Sequence, residues 1–142
     1  MENEAYEVKT PILGFEDIQQ ISLSQIDDIF AQIQTVPEST TSFTLVNPYA
    51  LRSYQFDIPQ VTQVLLDINS ETNLLLYNIV VVQNPIYEST VNFVAPLLFN
   101  TDNKTMSQII LDNSKHPDYG IAEPISRFMN QEDPQEDAAS DA

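Results

Sequence analysis

The chain contains no cysteine and no tryptophan, two glycines, one histidine and only five basic residues among 142. Each scarcity removes a class of protein. Without cysteine there is no disulfide framework and no thiolate zinc site. Gly14 and Gly120 are too few for a phosphate-cradling loop of the P-loop or dinucleotide type, which needs several glycines at fixed spacing. The lone His116 sits in the polar run Asn113-Ser114-Lys115-His116-Pro117. Asp112 and Asp118 are near it in sequence, but no serine motif frames them, so a surface-loop histidine is expected rather than a general base. No apolar run approaches the roughly 18 residues of a membrane span. The opening Met1-Glu2-Asn3-Glu4 lacks the basic and apolar regions of a signal peptide, and a cytoplasmic protein is expected.

Acid is what the chain has in excess. Twenty-one acidic residues against five basic ones give a net charge of −16. Such a field repels phosphate backbones and anionic membrane surfaces, so neither nucleic acid nor membrane is an expected partner. A basic protein is attracted and steered by it; the plainer consequence is solubility. Carboxylates are too plentiful to exclude acid–base pairs by counting. Still, the doublets Glu16-Asp17 and Asp27-Asp28 place neighbours on opposite faces of any strand, and they read as solvated surface. In Asp102-Asn103-Lys104 a cation stands where a calcium loop wants oxygen. No enzyme, metal or cofactor is expected.

The length suits one domain, and the 42% of hydrophobic residues supply a core. Residues 1–10 read as a mobile lead-in or edge strand. Residues 131–142 carry five acids, no base and only alanine as apolar content, and are predicted to be a disordered acidic tail. Between them, over 11–130, a single β domain is expected. Phe43 to Val46 is a β-type run stopped by Asn47-Pro48. Tyr54, Phe56 and Ile58 alternate with polar residues, as in a half-buried strand. Residues 74–82 and 90–99 read as strands, with Pro96 inside the second marking a bulge or an edge position, and 106–111 as another after the turn 101–104. Val61, Val64, Leu65 and Ile68 form one helical face behind Pro59, with Asp57 close enough to help cap. Residues 15–30 fit a short helix or a strand. The sum is an all-β fold: a small antiparallel barrel or sandwich with one or two short helices. Asn78 and Asn92 lie in apolar strands, and a hairpin centred on Pro85 would set them face to face, fixing register through buried hydrogen bonds.

Four stretches taken in order carry a family likeness: Ile12-Leu13-Gly14-Phe15-Glu16-Asp17; Val46-Asn47-Pro48-Tyr49 with Phe56-Asp57-Ile58-Pro59; Thr90-Val91-Asn92-Phe93-Val94-Ala95-Pro96; and Gln108-Ile109-Ile110-Leu111. Over residues 11–119 the chain resembles the bacterial flagellar assembly factor FliW family. The resemblance implies a barrel-like fold without enzymatic activity. It also implies two protein partners: the basic translational repressor CsrA, which the family antagonises, and flagellin, which it chaperones. The Arg-Pro-Asp-Tyr-Glu-Phe stretch common in the family is here Arg52-Ser53-Tyr54-Gln55-Phe56, one residue shorter and without its acids.

The expected contact residues are Glu16 and Asp17, as local negative charge for a basic partner, and Asn47, Tyr49, Arg52 and Tyr54. Tyr49, Arg52 and Tyr54 are expected to cluster on one exposed loop, because aromatics and arginine dominate binding hot spots. Asn47-Pro48-Tyr49 is also ordinary turn chemistry. The alternative function is an acidic decoy that imitates nucleic acid to block a basic RNA-binding protein.

Overall fold

The computed structural model describes residues 4–35 and 41–128; the tail expected over 131–142 lies outside them. Alternation builds the first strands. In β1 (Glu4–Thr10) Tyr6 and Val8 turn inward while Ala5, Glu7 and Lys9 face out. In β2 (Gln20–Gln25) Ile21 and Leu23 are buried, so alternation rather than helical spacing decides the ambiguous stretch. Ala31 and Ile33 of β3 (Phe30–Thr35) are fully buried. The Asp27 carboxylate closes the β2–β3 turn by accepting from the N–H groups of Ile29 and Phe30, both at 2.8 Å. Those bonds hold its pKa below the usual carboxylate range.

The remaining strands are β4 (Ser42–Val46), β5 (Leu74–Val81), β6 (Thr90–Val91), β7 (Leu97–Asn100), β8 (Thr105–Gln108) and β9 (Glu123–Pro124). Pairing runs β4-β3-β2-β1-β8-β7-β5, and β4 also pairs with β5, which closes a seven-stranded barrel. β6 and β9 extend from β5 as a flange. The small all-β barrel read from the sequence is what forms. Its ladders are antiparallel except β1–β8, which is parallel. Residues 4–10 are therefore neither lead-in nor edge: β1 is bonded on both sides, to β2 and β8, and its charged residues are merely its outward face.

Two cores result. Inside the barrel lie Tyr6, Ile21, Leu23, Ala31, Ile33, Leu45, Tyr77, Leu97, Phe99 and Met106, with Tyr6 and Tyr77 edge-on to Phe99. Outside the wall, residues 47–73 and 109–128 fold back over β5 and β7 and enclose a second core around Tyr54, Leu66, Phe93, Leu98 and Phe128. Leu98 faces this layer while its neighbours Leu97 and Phe99 face the interior, as strand alternation requires.

Three local expectations change. The run 90–99 is two strands, β6 and β7, broken at 92–96. The helix α1 (Gln60–Leu66) exists, but it buries Thr62 and Leu66 and leaves Val61 and Val64 exposed. Its anchor is polar: the Leu66 carbonyl accepts from Asn100 Nδ2 at 2.7 Å and Asn103 Nδ2 at 3.0 Å. Pro59 occupies the cap position itself, without a side-chain cap from Asp57. Finally, Asn92 stands opposite Ile79, not Asn78. The Asn78 amide still bridges, donating to the Asn92 carbonyl at 2.9 Å.

Candidate functional site

The chain leaves β4 through Asn47, whose Oδ1 accepts from the Tyr49 N–H at 3.0 Å and caps the single 3-10 turn Pro48–Ala50. This turn stands Tyr49 out into solvent, 59% exposed. The next residues, 53–58, run extended along the barrel wall. Tyr54, Phe56 and Ile58 pack inward and Ser53, Gln55 and Asp57 point out. The alternation read from the sequence is real, yet the segment joins no ladder. Between it and the first half of β5 lies an open groove of about 840 Å³, lined by Tyr49, residues 52–58, Leu74, Leu75, Leu76, Leu98 and His116.

Tyr49, Arg52 and Tyr54 do not form one exposed cluster. Only Tyr49 is exposed. Tyr54 is buried at 3%; its hydroxyl donates to the Phe93 carbonyl at 2.5 Å and accepts from Asn78 Nδ2 at 3.2 Å. Burial pushes its pKa well above the normal phenol value. The Arg52 guanidinium lies about equally close to three rings, 5.0 Å from Phe93, 4.9 Å from Tyr119 and 5.3 Å from Phe128. It also pairs with Glu123 at 3.5 Å. Glu123 is buried, accepts from Arg127 at 3.1 Å and from the Gly120 N–H, and so balances two cations with one carboxylate. A Cβ at Gly120 would come within 2.8 Å of the Glu123 carboxylate oxygen, so a larger residue there would push the Glu123 side chain aside. Arg52 and Glu123 thus clamp the C-terminal segment, residues 109–128, to the crossover between β4 and β5, residues 47–73. His116 lies in a loop, as expected, and is partly buried there with its ring stacked on Tyr119, centroids 5.2 Å apart.

Glu16 and Asp17 are exposed, on the β1–β2 connection and away from the groove lining. Glu16 accepts from the N–H of Gly14, whose φ of +90° suits a residue without a side chain. Beside them Leu13 and Phe15 border a smaller recess of about 270 Å³ with Phe43, Val81 and Ile121. The six expected contact residues therefore divide between two surfaces. Sequence reasoning missed Glu123, Tyr119 and the edge of β5, since partners 39 to 66 residues apart carry no local pattern.

Among the described residues no three His, Asp or Glu groups converge as a metal site, and no helix is long and apolar enough to cross a membrane. Fold and site define a small barrel presenting an open groove on its outer wall. The sequence model of the FliW protein family matches residues 1–125. The chain is 48% identical over 127 residues to "Flagellar assembly factor FliW 2" of Wolinella succinogenes, covering 89% of this chain and 93% of that one. It is 43% identical over 126 residues to "Flagellar assembly factor FliW" of Sulfurimonas denitrificans, covering 89% and 98%. A crystal structure of the flagellar assembly factor FliW superposes with a TM-score of 0.77 at 27% identity, over 86% of this chain and 85% of that one. The chain belongs to the FliW family of flagellar assembly factors.

Proposed function

We propose that this protein is a cytoplasmic, non-catalytic regulator that binds and antagonises a CsrA-type repressor and chaperones unassembled flagellin. The observation that carries the reading is the groove beside Tyr49: an exposed aromatic anchor over a wall that mixes Leu74, Leu75 and Leu76 with polar side chains, in a chain of net charge −16. Two forces then serve two partners. Long-range charge, with Glu16 and Asp17 on an open connection, steers a basic repressor. Apolar contact at Tyr49 and Leu74–Leu76 holds a flagellin terminus, whose apolar segment charge alone does not attract. Members of the family are named for flagellar assembly, which fits both partners.

Calorimetry and stopped-flow binding at two salt concentrations test the pair. Repressor association should slow with salt, because exposed charges are screened beyond roughly 10 Å at 0.1 M. Joint Glu16→Lys and Asp17→Lys substitution should slow it further. Flagellin binding should resist salt, show a negative heat-capacity change, and weaken by about 1–2 kcal/mol on Tyr49→Ala. Strict mutual exclusion between this chain and RNA on the repressor would favour the decoy instead.

A further inference from the structure

β5 is longer than the strand beside it, and the overhang faces the groove. β4 ends at Val46, opposite Asn78, so Leu74 to Tyr77 extend past its last residue. The hydrogen-bond parity of β5 is fixed at two points. The Asn73 carbonyl accepts from Thr101 N–H at 3.0 Å, and the Ile79 carbonyl from Asn92 N–H at 3.1 Å. In an antiparallel ladder the residues that bond one neighbour alternate with those that bond the other. Residues 73, 75, 77 and 79 thus aim their main-chain groups at the β7 and β6 side. Leu74, Leu76, Asn78 and Val80 aim theirs at β4. Asn78 and Val80 meet β4 there; the main-chain groups of Leu74 and Leu76 have no hydrogen-bond partner among the described residues, because the chain opposite has turned into Pro48–Ala50, which packs against β5 while its own N–H and C=O groups bond locally or to no described residue.

The far wall is also incomplete. Main-chain groups of Gln55 are taken by the Tyr119 hydroxyl, N–H at 2.8 Å and C=O at 3.1 Å. Phe56, one residue on and of opposite parity, has neither its N–H nor its C=O bonded among the described residues. The groove therefore runs along a sheet edge with free donors and acceptors. At ~3.3 Å per residue the four-residue overhang offers about 13 Å of edge, enough for a short strand.

We infer that this protein holds its partner by strand addition: an extended segment enters the groove and continues the line of β4, bonding the main chain of Leu74 and Leu76. The occupant is an extended apolar segment of a partner protein, uncharged or basic. Alternate side chains must meet Leu74, Leu76 and Phe56, and the rim carries Asp57 in a chain of charge −16. A helix cannot fill the role, since its N–H and C=O groups are already bonded within it. Tyr49 stands at the mouth, where it covers the added strand. The inference rests on the reading of this groove as a partner-binding surface and adds the mode of binding.

Residue-resolved amide hydrogen exchange on the intact chain, alone and with unassembled flagellin, tests it. In the free protein the amides of Leu75 and Tyr77 should be protected and those of Leu74 and Leu76 should exchange fast. Bound flagellin should slow Leu74 and Leu76 by roughly tenfold or more, while Leu75 and Tyr77 change little. Slow exchange at Leu74 and Leu76 in the free chain overturns the open edge at once. Flagellin binding that leaves both amides unprotected overturns strand addition and spares the proposed function. Absence of flagellin binding overturns the flagellin reading and this occupant together.

Discussion

The two cores of this protein solve the same problem by different means. The barrel interior is filled by side chains such as Ile33, Leu97, Phe99 and Met106, all fully buried, and depends on shape and apolar area. The outer layer is pinned by polar groups: the Tyr54 hydroxyl between Phe93 and Asn78, Arg52 among three rings, Glu123 under two arginines, and two asparagines on the Leu66 carbonyl. The inner core makes the barrel. The outer core fixes where the crossover and C-terminal segment lie, and those segments build the groove. Non-directional burial fills space but does not choose one placement among several similar ones; hydrogen bonds and ion pairs, being directional, do.

Truncating the inner core should do the most damage. Phe99→Ala removes a fully buried ring that touches Tyr6 and Tyr77, and should cost about 3–5 kcal/mol, read as a drop in the denaturation midpoint. Loss of that order takes the whole fold, groove included, in one transition. A loss well under 1 kcal/mol would mean that the barrel interior is looser than its burial states. Tyr54→Phe should cost less, about 1–3 kcal/mol, because it leaves the Phe93 carbonyl without its donor while keeping the ring. Its signature is local. Amide exchange should speed up in the 53–58 and 109–128 segments before it changes in β2 or β3. Uniform loss across both regions would merge the two cores into one cooperative unit.

How much was legible in the sequence follows the same division. Part of the barrel shows in the sequence: Phe43 to Val46 and residues 74–82 read as strands from their β-type and apolar runs, while the alternation of Ile21 and Leu23 competes with a helical reading and β3 goes unread. Residues 4–10 read as a lead-in or edge because charges on the outward face of an internal strand look like those of a loose end. The parallel β1–β8 ladder leaves no trace in local pattern. Tyr49 was legible as exposed, since Asn-Pro marks a turn and the residue after it has no strand to join. Arg52 and Tyr54 were not, because what buries them comes from residues 93, 119, 123 and 128, far along the chain. An arginine in a basic-poor sequence looks like a surface contact until its rings and carboxylate are seen around it.

The helix offers the smallest and most discriminating test of the comparison. By spacing, Val61, Val64, Leu65 and Ile68 make the buried face; in the structure Val64 is 75% exposed and Leu66 fully buried. Seven residues make barely two turns, so apolar spacing there has little power to orient the helix. The orientation is set instead at the C-terminal end, where Asn100 and Asn103 hold the Leu66 carbonyl and Asp67 takes a left-handed turn with φ of 58°. Val64→Ser should therefore change stability by no more than about 0.5 kcal/mol, the ordinary scale for an exposed position. Leu66→Ala, two residues away, should cost about 2–5 kcal/mol. Paired thermal or denaturant unfolding of the two variants measures the difference. If Val64→Ser proves the costlier, the helix sits in the face its spacing favours, and the asparagine anchors do not orient it.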